Sequence, residues 1–89
     1  MAYTQVEIAQ FHAAVTAGAQ ADDLYKLGLI YSTGQGGEVD LIEAHKWFNL
    51  AAVRGSEVAK ACRQEMADQM SAGEVAQALK AAREWMTRH

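Results

Sequence analysis

The side chains with the greatest chemical potential in this 89-residue chain are three histidines and a single cysteine. His12 and His45 stand far apart in the sequence, and His89 is the last residue. Metal-binding motifs place ligands on one helix face or a few residues apart in a loop, and no such spacing occurs here. We therefore expect histidines at helix surfaces or interfaces, with no metal site and no cofactor.

The cysteine, Cys62, falls on an apolar stripe at helical spacing from Ala59 and Met66. A cysteine in that setting is more often a small buried hydrophobe than a nucleophile, and no histidine lies near it in the sequence. One cysteine cannot form an internal disulfide, which is typical of a reducing compartment. The sequence thus predicts no catalytic residue and no enzymatic activity.

Two further patterns imitate functional motifs. The pair Asp22-Asp23 resembles a catalytic dyad, but it stands at the start of a predicted helix, where negative charge complements the helix dipole. The glycine-rich segment STGQGGEV, residues 32–39, lacks the Lys-Ser/Thr of a phosphate-binding loop and does not follow a strand. We interpret the pair as helix capping and the segment as a turn between helices.

The charge balance argues against two classes of partner. The formal net charge is −3 and the basic residues are scattered, whereas nucleic acids and anionic membranes normally bind a basic face. No segment approaches the roughly 20 apolar residues that a membrane span needs, and no signal peptide is recognisable. We expect a soluble cytoplasmic protein with no nucleic-acid and no membrane partner.

The elements that position these residues are predicted to be helices, because the chain lacks proline and is rich in alanine, the best helix former. Start and stop signals together with the 3.6-residue period predict five helices, at about 5–17, 22–33, 41–54, 57–70 and 72–87. Short connections require neighbouring helices to pack antiparallel. The expected class is all-α.

Three of the predicted helices begin with an N-cap followed three residues later by a glutamate, and one begins with an N-cap serine. These residues are Thr4 with Glu7, Asp40 with Glu43, Ser71 with Glu74, and Ser56 alone. One apolar stripe is predicted to face inward on each of the second to fifth helices. In chain order, these stripes are Leu24, Leu27, Gly28 and Tyr31; Leu41, Ala44, Trp47, Phe48 and Ala51; Val58, Ala59, Cys62, Met66 and Met70; and Val75, Ala78, Leu79, Ala82, Trp85 and Met86.

Part of the sequence repeats. The residues Phe11, Ala14 and Gly18 recur 37 positions later as Phe48, Ala51 and Gly55. A period between about 20 and 50 residues is typical of repeat proteins, in which one helical unit buries its apolar face only against a neighbour.

The most specific pattern is a set of small and aromatic residues at fixed spacing: Leu27-Gly28, Tyr31, Gly34, Gly36, Asp40, Ala44, Trp47-Phe48, Ala51-Ala52, Gly55 and Ala59. This set resembles the Sel-one-like repeat family, a relative of the tetratricopeptide repeat. The match covers one full repeat, 21–57, preceded by a partial repeat, 4–20. A following half repeat and a closing helix occupy 58–88, and the latter is similar to the helix that often ends bacterial members. We treat 1–89 as one domain.

The resemblance implies an α/α solenoid, a superhelix of about five antiparallel helices that acts as a scaffold or adaptor for other proteins. The position of Gly28 fits this expectation, because a glycine inside a helix costs about 1 kcal/mol relative to alanine and needs a packing reason. We expect the third helix to approach closely there, with Phe48 or Ala44 over the gap.

The expected binding surface is the side of the second helix that lies off its core stripe. It carries Asp22, Tyr25, Leu29 and Ser32, with Lys26, Ile30 and Thr33 opposite. Leu29 and Ile30 both lie away from the core stripe. Either the flanking helices cover them, or one stays exposed as an apolar anchor for a partner.

Three functions follow from these patterns, and the sequence does not choose finally among them. The favoured one is a small interaction module that binds a peptide or protein partner without chemistry of its own. The alternative is a homodimer formed through the first or fifth helix, because solenoid ends leave apolar faces open. The least favoured is an enzyme, which requires a polar pocket that joins Cys62 or His45 to a carboxylate.

Overall fold

The computed structural model describes residues 4–18, 20–35 and 37–88. These residues form five α-helices and no strand: α1 (Gln5–Gly18), α2 (Ala21–Thr33), α3 (Leu41–Val53), α4 (Glu57–Asp68) and α5 (Ala72–Arg88). The all-α class is confirmed, and each predicted helix end lies within two residues of the observed one. Gly36 and His89, which entered the sequence arguments, lie outside the described residues.

Capping boxes start the first and last helices. The Glu7 amide donates to the Thr4 hydroxyl over 3.1 Å, and the Thr4 amide donates back to the Glu7 carboxylate over 3.0 Å. Ser71 and Glu74 make the same exchange over 3.1 and 2.8 Å. Each pair satisfies two amides that a helix start leaves without partners. Both sequence predictions are confirmed.

The start of α3 departs from a full capping box. Asp40 accepts from the Glu43 amide over 3.1 Å, as predicted. The Glu43 carboxylate, however, accepts from the indole nitrogen of Trp47 over 2.8 Å. The Asp40 amide instead donates to the Tyr31 carbonyl over 2.9 Å. This bond ties the start of α3 to the last turn of α2.

Helix α3 is the centre of the fold. It packs against α2, α4 and α5, while α1 packs against α2. Such a position requires apolar residues around most of its circumference. Its buried residues are Ala44, His45, Trp47, Phe48, Leu50, Ala51 and Ala52.

The closest approach between α2 and α3 lies at Gly28. A Cβ atom built on Gly28 would lie 2.5 Å from Cε1 and 2.9 Å from Cγ of the Phe48 ring, so no larger residue fits without movement. Phe48 is 1% exposed. Of the two side chains expected over Gly28, Phe48 is therefore the one that fills the gap.

Three residues predicted to face inward lie at the surface. On α4, Val58 is 53% exposed, and the core contact is made by Ala59 and Met66. On α5, Leu79 and Met86 are exposed at the edge of the buried row. The row that enters the core is Ala78 and Ala82. Alanine lets α5 approach α3 closely, and this narrow contact leaves the larger neighbours outside.

We predict that Gly28→Ala destabilises the protein, because the added methyl must displace the Phe48 ring from a packed position. Overpacking of this kind costs about 1–3 kcal/mol in the free energy of unfolding, measurable by urea denaturation. Gly73→Ala is the matched control. Its Cβ would meet only the Ser71 hydroxyl at 3.9 Å, so it should stabilise α5 by up to about 1 kcal/mol. Equal effects of the two substitutions would contradict the packing argument.

Candidate partner-binding site

The four residues expected to bind a partner follow one side of α2, and we call them the α2 strip: Asp22, Tyr25, Leu29 and Ser32. Their spacing of three, four and three residues keeps them on one helix face. Asp22 is exposed, whereas Tyr25, Leu29 and Ser32 are half-buried. The strip therefore consists of a charged end and a partly covered apolar and hydroxyl-bearing surface.

Tyr25 is fixed from two sides. Its ring centroid lies 5.9 Å from that of Phe48, with the planes tilted by 44°. Its side chain also hydrogen-bonds to Cys62 on α4. Burial raises the pKa of the Cys62 thiol and the nearby Glu65 raises it further, while the bond to Tyr25 opposes this rise. Cys62 is thus held as a protonated thiol at neutral pH and links α4 to α2.

The C-terminal half of the strip is stabilised by bonds within the helix. Leu29 packs against the core, and its carbonyl accepts from the hydroxyls of Ser32 over 3.2 Å and Thr33 over 2.6 Å. Ile30, by contrast, is 1% exposed. Of the two residues that the sequence placed off the core stripe, Ile30 is fully covered and Leu29 keeps part of its surface open.

A second group of functional side chains surrounds Trp47, and the sequence reasoning did not identify it as a unit. His12 on α1 lies beside Tyr31 on α2, with its Nε2 3.0 Å from the Tyr31 hydroxyl. The His12 ring also meets the Trp47 indole edge to face, at a centroid distance of 5.3 Å. On the far side, Trp85 of α5 contacts Trp47 at 5.8 Å. Trp47 thereby connects α1, α3 and α5.

Charges on α3 complete this group. Lys46 forms an ion pair with Glu43 at 3.3 Å and lies 4.2 Å from the centre of the Trp47 ring. Burial lowers the pKa of His12; Glu43 opposes the shift and Lys46 adds to it. Burial also raises the pKa of Tyr31. These shifts favour the neutral forms of both rings, which makes the group a polar packing junction.

His45 is a buried polar residue on the other side of α3. It is 3% exposed, and its Nδ1 has no hydrogen-bond partner in the described part of the chain. Burial lowers the pKa of His45, and the positive charge of Arg63 on α4 lowers it further. Arg63 itself donates to the Asn49 amide oxygen over 2.7 Å. The surroundings of His45 at the α3–α4 contact therefore favour the neutral imidazole.

Two clefts open on the described surface, and both involve α1. One of them lies between the start of α1, the end of α2 and residues 38–40, and we call it the acidic cleft. The other, the α1 hollow, has an apolar floor between α1 and α2. Its lining residues are Glu7, Gln10, Phe11, Ala14 and Asp23. Neither cleft is lined by Cys62 or His45.

Two other features are absent from the described residues. No three or more His, Cys, Asp or Glu side chains converge there in a geometry that could hold a metal ion. Within the same residues, no helix has the length and apolar character required to cross a membrane.

Comparison with known proteins gives no assignment. No protein-family model, curated protein or solved structure shows significant similarity to the chain. The function of the chain is therefore inferred from the geometry of its described residues.

We predict that the protein loses stability as the pH falls below about 6.5, the ordinary histidine pKa. Because His12 and His45 have lowered pKa values in the folded state, the unfolded chain binds protons first as the pH decreases, and each histidine contributes a slope of at most about 1.4 kcal/mol per pH unit. The stability that the two histidines contribute is fully present above their pKa in the unfolded chain. It is lost as the pH falls toward their lower pKa values in the folded protein.

Urea denaturation followed by tryptophan fluorescence at pH 7.5 and 5.5 measures this difference. His45→Leu removes the unpartnered nitrogen, and His12→Gln keeps a side chain that can bond to Tyr31. Each variant should have a smaller difference between the two pH values than the wild type. If the free energy of unfolding changed by the same amount between the two pH values in all three proteins, neither histidine would be responsible for the loss of stability in acid.

Proposed function

We propose that this chain is a small protein-interaction module that binds a peptide or protein segment along α2 and has no chemistry of its own. The observation that carries the proposal is the state of the α2 strip. Tyr25 and Leu29 are held by the core on one edge yet remain partly exposed on the other. Aromatic and apolar side chains fixed before binding make good anchors, because little conformational entropy is lost when a partner covers them.

We further propose that the helices form a two-layered α/α superhelix of antiparallel neighbours. One row of contacts supports a layer of α1, α3 and α5, since Trp47 meets His12 on one side and Trp85 on the other. The bond between Tyr25 and Cys62 supports a second layer of α2 and α4. In such a stack the α2 strip lies on the layer formed by the first helix of each repeat.

The resemblance to Sel-one-like repeats agrees with this architecture. The pair at the centre of the pattern, Gly28 and Phe48, makes the close contact that a glycine inside a helix led us to expect. We therefore propose membership of that family, with one full repeat at 21–57, a partial repeat before it and a half repeat with a closing helix after it. The implied role is that of an adaptor or scaffold for a protein partner.

Self-association is the second candidate, and the surface of α1 favours it. Val6 is 67% exposed, and Ala9, Ala13 and Ala17 on the same side are also exposed. A helix of 14 residues is about 21 Å long, so one face covers much less than the roughly 800 Å² per partner of a standard interface. A homodimer through α1 would have to include neighbouring surface, which makes it the weaker proposal.

We predict that Leu29→Glu abolishes capture of a specific partner from the native cell, because a carboxylate at this position cannot be buried by an apolar contact. The matched control is Leu79→Glu, which places the same charge on an exposed apolar position of α5. Since Leu29 also packs on the core, Asp22→Arg serves as a second variant at an exposed position of the strip. Identical captured proteins for wild type and all variants would count against the α2 strip.

The same proposal predicts a monomer from micromolar to millimolar concentration by light scattering. Self-association through α1 predicts a dimer that Val6→Lys disrupts, because the substitution places a charge in the contact. Val53→Lys is the control, since Val53 on α3 is 59% exposed and lies on another helix. A dimer sensitive to Val6→Lys alone would replace the preferred function with the second candidate.

A further inference from the structure

The acidic cleft has a volume of about 220 Å³. It is lined by Gln5 and Ile8 from α1, Ile30 and Tyr31 from α2, and Glu38, Val39 and Asp40 from the segment before α3. Binding sites for drug-sized molecules usually occupy about 300–1,000 Å³. The cleft is smaller than that range and matches a single long amino-acid side chain.

Backbone bonds fix the wall of the cleft that residues 37–40 form. Gly34 ends α2 with φ of +73°, a conformation that glycine adopts at little cost. The Gly37 amide donates to the Gly34 carbonyl over 3.0 Å, and the Asp40 amide donates to the Tyr31 carbonyl over 2.9 Å. Val39 lies against Gly34, where a Cβ would come within 3.1 Å of Val39 Cγ2. The wall is therefore formed in the free protein.

Three apolar side chains belong to the lining of the cleft. Ile8 and Ile30 are buried beneath it, while Val39 is 55% exposed although it lines the cleft. An exposed valine held in place beside two buried isoleucines forms a surface that an aliphatic chain can cover. This surface distinguishes the cleft from a simple cluster of acidic groups.

The charged groups of the cleft are both negative. Glu38 and Asp40 are exposed, and Glu38 forms no hydrogen bond or ion pair with any described residue. Asp40 uses Oδ1 to cap α3 through the Glu43 amide, and its Oδ2 accepts from no described group. No lysine or arginine belongs to the lining residues that the structure describes. The cleft thus combines the exposed Val39 side chain with carboxylate oxygens that pair with no described cation.

We propose that the acidic cleft receives an arginine or lysine side chain from the protein partner. The aliphatic stem would cover Val39 beside Ile8, and the cationic head would lie at Glu38 and Asp40. Long basic side chains pack in this way, with the methylene groups on apolar surface and the charge toward water. The inference depends on the proposed function, because it assigns to the same module the chemistry of the segment that it binds.

Net charge favours a foreign segment over a second copy of this chain as the occupant. The chain carries a formal charge of −3, so two copies repel each other weakly, whereas a basic segment is attracted. The end of α2 also brings the cleft close to the α2 strip, since Tyr31 lines the cleft and Ser32 belongs to the strip. One bound segment could therefore contact both.

The test is an amide ¹H–¹⁵N titration of the whole chain with N-acetyl-arginine amide, with N-acetyl-citrulline amide as the neutral analogue of the same shape. We expect the arginine probe to shift the amides at 5–8, 30–31 and 37–40 with millimolar affinity. The citrulline probe should bind at least twofold more weakly. Glu38→Gln should weaken arginine binding by about two- to fivefold, as expected for an exposed ion pair.

Glu65→Gln is the matched control, because it removes one exposed carboxylate from α4 and should leave arginine binding unchanged. Val39→Ser tests the apolar wall independently of charge and should also weaken binding. Equal affinity for arginine and citrulline, shifts centred on other residues, or no effect of Glu38→Gln would each overturn the proposal. Shifts of the cleft amides that grow with protein concentration alone would overturn it in favour of a second copy.

The outcome can be separated from that of the proposed function. If Leu29→Glu loses a captured partner but arginine does not bind the cleft, the module stands and the cleft assignment is wrong. If arginine binds the cleft while Leu29→Glu and Asp22→Arg capture the same proteins as wild type, the cleft stands and the α2 strip is wrong.

Discussion

The contact between Phe48 and Gly28 is the constraint on which the rest of the structure depends. Because the ring occupies the space of a missing side chain, α2 and α3 approach more closely than two helices with larger residues at the contact could. This approach buries the α2-facing side of α3 and places Tyr25 against the Phe48 ring. The packing of the core therefore determines the proposed binding strip, because the contact between Gly28 and Phe48 also decides which side of Tyr25 is covered and which stays exposed.

A central helix with neighbours on several sides must also accommodate its polar residues. Glu43 resolves this by accepting from the Trp47 indole and pairing with Lys46, so that both donors near it are satisfied. His45 has no such arrangement for Nδ1, and burial lowers its pKa so that the neutral form is favoured. An unsatisfied buried polar atom costs about 1–3 kcal/mol. A domain of this size has little stability in excess, so we expect the two histidines to make its folding sensitive to mild acid.

The helices were predictable because their signals are local. N-caps such as Thr4 and Ser71 act within three residues, and the apolar period repeats within each segment. The prediction was wrong where tertiary packing decides between neighbouring stripe positions, as for Val58, which lies just outside the contact made by Ala59. Glu43 shows the same limit. A capping box would have joined its carboxylate to the Asp40 amide, but the carboxylate accepts from the Trp47 indole instead.

The sites depend on long-range geometry to different degrees. The α2 strip could be located from one helix, since its members share a face, although which of Leu29 and Ile30 stays open depends on neighbouring helices. The group around Trp47 could not be located, because His12 and Tyr31 meet only after α1 packs on α2. The acidic cleft is also beyond sequence reasoning, since its wall exists only when the Asp40 amide closes onto Tyr31.

Size then limits how the proposed module can bind. Only part of its surface can face one partner, and a standard interface takes about 800 Å² from each side. A small contact reaches useful affinity when its groups are fixed beforehand, because the entropy of ordering them is not lost on binding. Tyr25 is fixed by Phe48 and Cys62, and Val39 by the bonds that close the segment before α3. For the proposed module, two preformed positions along α2, one apolar at Tyr25 and one acidic at the C-terminal end, favour a partner segment that carries both an apolar and a basic residue.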